Sequence, residues 1–135
     1  MADETAISSV HGLIGDAGFE RLVAAFYRRV PKDDLLGPLY PADDLEGAEY
    51  RLRSFLIFRF GGPDRFLHER GHPQLRARHV PFAIDRTTRD RWVLLMDQAM
   101  CEAELPVAAT AIIQPFLHEV ATFLINRSEQ STIVI

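Results

Sequence analysis

The chain has a single cysteine, a single tryptophan and almost no lysine; its fifteen basic residues are fourteen arginines and Lys32. With Cys101 alone, no disulfide forms within the chain, and no Cys-x-x-Cys motif is present to attach a cofactor or clamp a metal. No apolar run approaches the ~18 residues of a membrane-spanning helix. The N-terminal Met1-Ala2-Asp3-Glu4-Thr5 lacks the charged-then-apolar pattern of a secretory signal. Excess positive charge is also missing. The formal net charge is −4, which argues against a nucleic-acid partner. The resulting expectation is a soluble protein of the reducing cytoplasm, with neither a membrane span nor nucleic acid to bind. The arginine bias reads as composition rather than function.

What is present is enough for a core. Apolar residues make up 47% of the chain and charged residues 25%, outside the disordered range. At 135 residues one domain is expected, since a domain commonly runs ~100–200 residues. We place it at residues 1–127 and read 128–135 as a flexible tail. Helical periodicity dominates, with no hairpin signal and no internal repeat. Phe19, Leu22, Val23, Phe26 and Val30 form one apolar stripe, preceded by Gly15 and Gly18 and stopped by Pro31. Asp43-Asp44 signals a second helix, with an inner face of Leu45, Ala48, Leu52, Phe55 and Leu56, ended by Gly61-Gly62-Pro63. From Pro63 to Phe82 the pattern is broken by Pro63, Gly71, Pro73 and Pro81, and a long irregular connection is expected. A third helix starts near Asp85 or Thr87, where Thr87 and Asp90 fit a capping box. Its inner face is Trp92, Val93, Met96, Met100 and Ala103. A fourth follows Pro106 and carries Ile112, Ile113, Phe116, Val120, Phe123 and Leu124, with Pro115 expected to kink it.

The chemistry centres on Arg76-Ala77-Arg78-His79-Val80-Pro81-Phe82. His79 stands in an apolar frame, and Pro81 restricts its own φ and the conformation of Val80. A neutral imidazole fixed in this way suits axial ligation of a porphyrin iron. Tyr27, Tyr40 and Trp92 each have an ordinary reading as core or loop packing. Together they offer two hydroxyls and one indole N–H. Donors of that kind, in a low-dielectric pocket, stabilise the charge that dioxygen draws from ferrous iron. A competing motif, His68-Glu69-Arg70-Gly71-His72, matches the His-Glu-x-x-His pattern of zinc hydrolases. That chemistry needs a helix, and Gly71 and Pro73 oppose one, so a solvated loop is the expected reading. His11 and His118 are expected at the surface, and Cys101 in packing.

At these residues the chain resembles the truncated haemoglobins of group II, from about Phe19 to Asn126. The blocks that carry the resemblance are Phe26-Tyr27-Arg28-Arg29-Val30, Leu39-Tyr40-Pro41-Ala42-Asp43-Asp44-Leu45, Gly61-Gly62-Pro63, the run Arg70 to Phe82, and Arg89-Asp90-Arg91-Trp92 followed by Met96. The resemblance implies an all-α fold, a two-over-two helical sandwich around non-covalent haem b. It implies that His79 is the proximal iron ligand and that Tyr27, Tyr40 and Trp92 stabilise a bound gas. Ala48, Leu52, Phe55, Phe82 and Met96 are implied as haem contacts, and Arg51 and Arg78 as partners of its propionates. The short side chain of Ala48 is expected to leave a path for diatomic ligands. The chain departs from the family in its separated Gly15 and Gly18, in Phe60 where many relatives have tryptophan, in Pro115, and in its longer tail.

The implied function is reversible binding of dioxygen, carbon monoxide or nitric oxide, with slow release. The alternative is a haem redox enzyme, a nitric oxide dioxygenase or peroxidase-like, fed by an external reductase. A monomer or a homodimer is compatible with either.

Overall fold

In a computed structural model that describes residues 3–128, all regular elements among those residues are helical. The helices are α1 (Glu4–Ser8), α2 (Val10–Arg29), α3 (Leu45–Arg59), α4 (Arg65–Arg70), α5 (Leu75–His79), α6 (Arg86–Ala103) and α7 (Val107–Phe123), with 3₁₀ turns at Val30–Lys32 and Gly37–Leu39. Residues 129–135, most of the expected tail, lie outside the described residues.

Local chemistry sets the boundaries. Gly15 bends α2 with φ 64° and ψ −179°. An ideal Cβ on Gly18 would lie 2.5 Å from the Cβ of Ile14, so the bend and the bare glycine come together. Pro31 sits in the 3₁₀ turn that follows α2. The Asp44 carboxylate caps α3 by accepting the Gly47 N–H at 3.1 Å. Gly61 then leaves it at φ 98°. The Asp85 carboxylate caps α6 by accepting the Thr88 N–H at 2.9 Å, so the helix starts at the first of the two expected positions. Helix α7 runs unbroken through Pro115.

The helices pack as two layers: α2 lies against α3 and α6, and α6 against α7. Their apolar faces meet in a core whose largest fully buried side chains include Phe19, Phe26, Phe60, Leu22, Leu56 and Met96. Phe60 stacks on Phe19 at 5.8 Å and meets Phe116 edge-on at 5.0 Å.

Three expectations are corrected. Residues 63–82 are not one irregular connection, since α4 and α5 form within them. The buried stripe of α7 is Ala109, Ile113, Leu117 and Ala121. Phe123 is exposed, with the Arg76 guanidinium over its ring at 4.6 Å. Cys101 is exposed rather than packed.

Candidate functional site

A cavity of about 320 Å³ opens between the layers. Tyr27 enters it from α2, and Leu36, Leu39 and Tyr40 from the segment after it. Helix α3 adds Ala48, Arg51, Leu52 and Phe55; α5 and its flank add Leu75, Arg78, His79 and Phe82; α6 adds Trp92. The C-terminal half of α7 closes it with Leu117, Val120, Ala121 and Leu124. Helical spacing dictates this set. Ala48, Leu52 and Phe55 lie four and three residues apart, so α3 presents them on one face.

His79 is the last residue of α5, half-buried. Its Nδ1 lies 2.7 Å from the carbonyl oxygen of Leu75, one helical turn earlier. A carbonyl only accepts, so Nδ1 carries a hydrogen, and in the neutral imidazole the lone pair is then on Nε2. Phe82 stands edge-on to the imidazole at 6.3 Å.

The polar trio forms around one hub. Phe26, fully buried, holds Trp92 at 5.4 Å, Tyr27 at 5.5 Å and Tyr40 at 6.4 Å between ring centroids. The Tyr27 hydroxyl has no hydrogen-bond partner among the described residues. Burial, and then the neighbouring Tyr40, push its ionisation well above the ordinary tyrosine range. Burial also pushes Tyr40 up to about 12, with the Trp92 indole N–H pulling the other way. Both phenols are therefore O–H donors at neutral pH.

Arginines gather at the rim. Arg78 donates from Nε to the Pro73 carbonyl at 2.6 Å, and from one terminal nitrogen to the carbonyls of Arg70 at 2.7 Å and His72 at 3.2 Å. It thus ties the turn between α4 and α5 to the end of α5. Arg51 reaches the Asp44 carboxylate at 3.4 Å. Arg70 lines the cavity too, and burial, then Arg78, then Arg51 hold its guanidinium below the usual range. Three cations facing one opening call for an anion.

Of the residues singled out in the sequence, His79, Tyr27, Tyr40, Trp92, Ala48, Arg51, Leu52, Phe55, Arg78 and Phe82 all line this cavity. Met96 does not. It is fully buried in the core, on the part of α6 that meets the other helices. The sequence reading missed Arg70, one arginine among fourteen with no distinguishing spacing. It also missed the wall that α7 supplies.

His11 and His118 each pair with an aspartate. His11 Nε2 lies 2.7 Å from Asp16 Oδ1 and its ring stacks on Phe19, so it is half-buried rather than a surface residue. His118 lies 3.0 Å from Asp97. Helix α4 ends at Arg70, and Gly71 turns away at φ 78°, so His68 and His72 share no helical face. Glu69 instead accepts the Tyr50 O–H at 2.8 Å. No group of three or more His, Cys, Asp or Glu converges on a metal position among the described residues.

The residues present fit a haem. The cavity wall is largely apolar, one oriented imidazole offers a free lone pair, polar donors occupy a separate wall, and cations stand at the rim for two carboxylates. A two-layer helical sandwich with such a cavity is the architecture of a small haem-binding globin.

Comparison with known proteins agrees. The bacterial-like globin family model matches residues 9–126. The group 2 truncated hemoglobin YjbI of Bacillus subtilis (strain 168) is 36% identical over 116 residues, covering 86% of this chain and 87% of that protein. The hemoglobin of the thermophilic phototrophic bacterium Chloroflexus aurantiacus has a TM-score of 0.84 and 40% identity, covering 87% of this chain and 98% of that one. The group II truncated hemoglobin of Bacillus anthracis has a TM-score of 0.86 and 31% identity, covering 93% and 95%. The chain belongs to the bacterial-like globin family, as a group II truncated haemoglobin with the two-over-two fold. Membership implies a haem cofactor and the binding of gaseous ligands. Among the described residues no helix is long and apolar enough to cross a membrane.

Proposed function

We propose that the protein binds dioxygen reversibly, with carbon monoxide and nitric oxide as alternative ligands, at a non-covalent haem b held by His79. His79 would hold the haem, which when bound would supply a ferrous iron able to take a diatomic gas.

The observation that carries this reading is the bond from His79 Nδ1–H to the Leu75 carbonyl at 2.7 Å. It fixes the tautomer and the ring plane, leaving Nε2 ready to coordinate. The polar trio supports it. Tyr27, Tyr40 and Trp92 bring donors into a cavity otherwise dominated by apolar groups, where a hydrogen bond gains strength from the low dielectric. Each net bond is worth ~0.5–1.5 kcal/mol, so two bonds to the gas slow its release ~5- to 150-fold. Slow release suits sensing, storage or redox use better than bulk carriage. Ala48, Leu52 and Phe55 line the same space with apolar side chains, which disfavours water there. Arg51 and Arg78, with Arg70, face the two propionates by their guanidinium chemistry.

Spectroscopy of the purified protein tests this. One haem per chain, with an intense Soret band that moves on adding carbon monoxide to the ferrous protein, is the expected result. A protein that takes up no haem when supplied with it contradicts the proposal.

A further inference from the structure

A five-residue helix does not hold itself in place, because nucleation costs more than so few bonds return. Helix α5 is such a helix. It starts from Gln74 in the left-handed conformation, φ 46° and ψ 52°, with no side-chain cap. Its position must be imposed from outside. At the leading end Arg78 does this, through its three carbonyl partners.

At the trailing end the side-chain amide of Asn126, beyond the end of α7, makes the contacts. Its Nδ2 has two hydrogens. One is donated to the backbone carbonyl of His79 itself at 3.2 Å, the other to the Phe82 carbonyl at 2.9 Å. Its Oδ1 accepts the Ile84 N–H at 2.9 Å. The Asn126 and Arg127 backbone N–H groups return to the Ile84 carbonyl at 2.8 and 3.0 Å. The side chain's donors are fully used, and all its partners but one lie in the turn from residue 79 to 84. A second tie runs in parallel, from Arg76 Nε to the Phe123 carbonyl at 3.3 Å. The α7 terminus also supplies Leu124 to the cavity wall.

Resting on the proposed haem site, we infer that Asn126 is a positioning residue for the iron ligand. By clamping the carbonyl of His79 and the turn after it, the amide fixes where the imidazole stands relative to the cavity. It acts through the backbone and touches no reacting atom. Asn126 is exposed, so replacing it leaves no hole in the core.

The test uses the haem-loaded full chain and two variants, Asn126→Ala and Asn126→Asp. The first removes all the side-chain bonds. The second is nearly isosteric and keeps the oxygen that accepts from Ile84, but sets a carboxylate against two carbonyls. The iron–histidine stretching band of the ferrous, ligand-free protein is read by resonance Raman, and haem loss by transfer to excess apomyoglobin. In both variants the band is expected to shift or broaden, and haem loss to quicken about fivefold or more. A band at the wild-type position and width in both variants overturns the assignment, even if haem loss quickens or the melting temperature falls, because those changes report general loosening. A wild-type chain that takes up no haem overturns the proposed function and this inference together. A haem-loaded wild type with unmoved variant bands overturns the inference alone.

Discussion

The rings of Tyr27 and Tyr40 meet edge to face, with centroids 5.6 Å apart and planes at 89°. This places two hydroxyls from different segments in one cavity, and the shared contact with Phe26 ties Trp92 to them. Tyr27→Phe and Trp92→Phe are each expected to speed oxygen dissociation ~2- to 13-fold, the loss of one net hydrogen bond. Because the groups touch through one hub, the double variant should depart from the product of the two effects. Stopped-flow displacement of oxygen by carbon monoxide measures all three rates.

Tyr40 gives a pH dependence with a defined sign. Its hydroxyl ionises near pH 10 in the unfolded chain and at about 12 in the fold. Between these values the unfolded chain loses its proton first. Stability is intact below about pH 10 and falls as pH rises toward about 12. Tyr27, raised by burial, acts in the same direction. The loss attributable to Tyr40 is about 2–3 kcal/mol, and Tyr40→Phe should remove that share from the alkaline limb of a denaturation series. Below pH 9 both phenols stay protonated, so neither should make the oxygen off-rate depend on pH.

Two glycines differ in what a side chain would meet. Gly71 has φ 78° with nothing within 4 Å of an added Cβ, so Gly71→Ala carries backbone strain alone, about 1–3 kcal/mol. At Gly61, φ is 98° and an added Cβ falls 1.8 Å from the Ser8 carbonyl oxygen. Gly61→Ala must displace that backbone and should cost clearly more. Urea denaturation of the two variants against the parent gives the order.

Arg78 and Arg51 also separate. Arg78→Ala strips donors from three backbone carbonyls ahead of α5, and is expected to cost about 1–3 kcal/mol of stability. Arg51 has one long, half-exposed ion pair with Asp44, and Arg51→Ala should cost under about 1 kcal/mol. Both should quicken haem loss, the Arg51 variant through lost charge. Thermal melts and haem transfer to apomyoglobin distinguish the two effects.

Much of this was legible in the sequence. Long amphipathic stripes announced α2, α3 and α6 because their apolar residues recur at three and four. That His79 and the polar trio line the cavity could be anticipated because each is a chemically distinct residue among apolar ones. Helices α4 and α5 were not, since six and five residues cannot display a 3.6-residue period and Gly71 and Pro73 flank them. The inner face of α7 was legible only in part, at Ile113, for the opposite reason. Nearly every position there is apolar, so several stripes compete, and the neighbouring helices chose Leu117 and Ala121 over Phe116 and Phe123. Cys101 follows the buried Met100, yet one step around a helix turns it about 100° to solvent. Asn126 gave no signal, because its partners are backbone carbonyls more than forty residues away in the chain.

The central claim is that the His79 imidazole is the axial ligand of the haem iron. The direct measurement compares the ferrous spectra of the wild type and His79→Gly, each loaded with haem, before and after free imidazole is added. The account predicts that the wild type shows histidine coordination, that the variant loses it, and that imidazole restores it. Identical axial coordination in both proteins before imidazole is added would contradict the account.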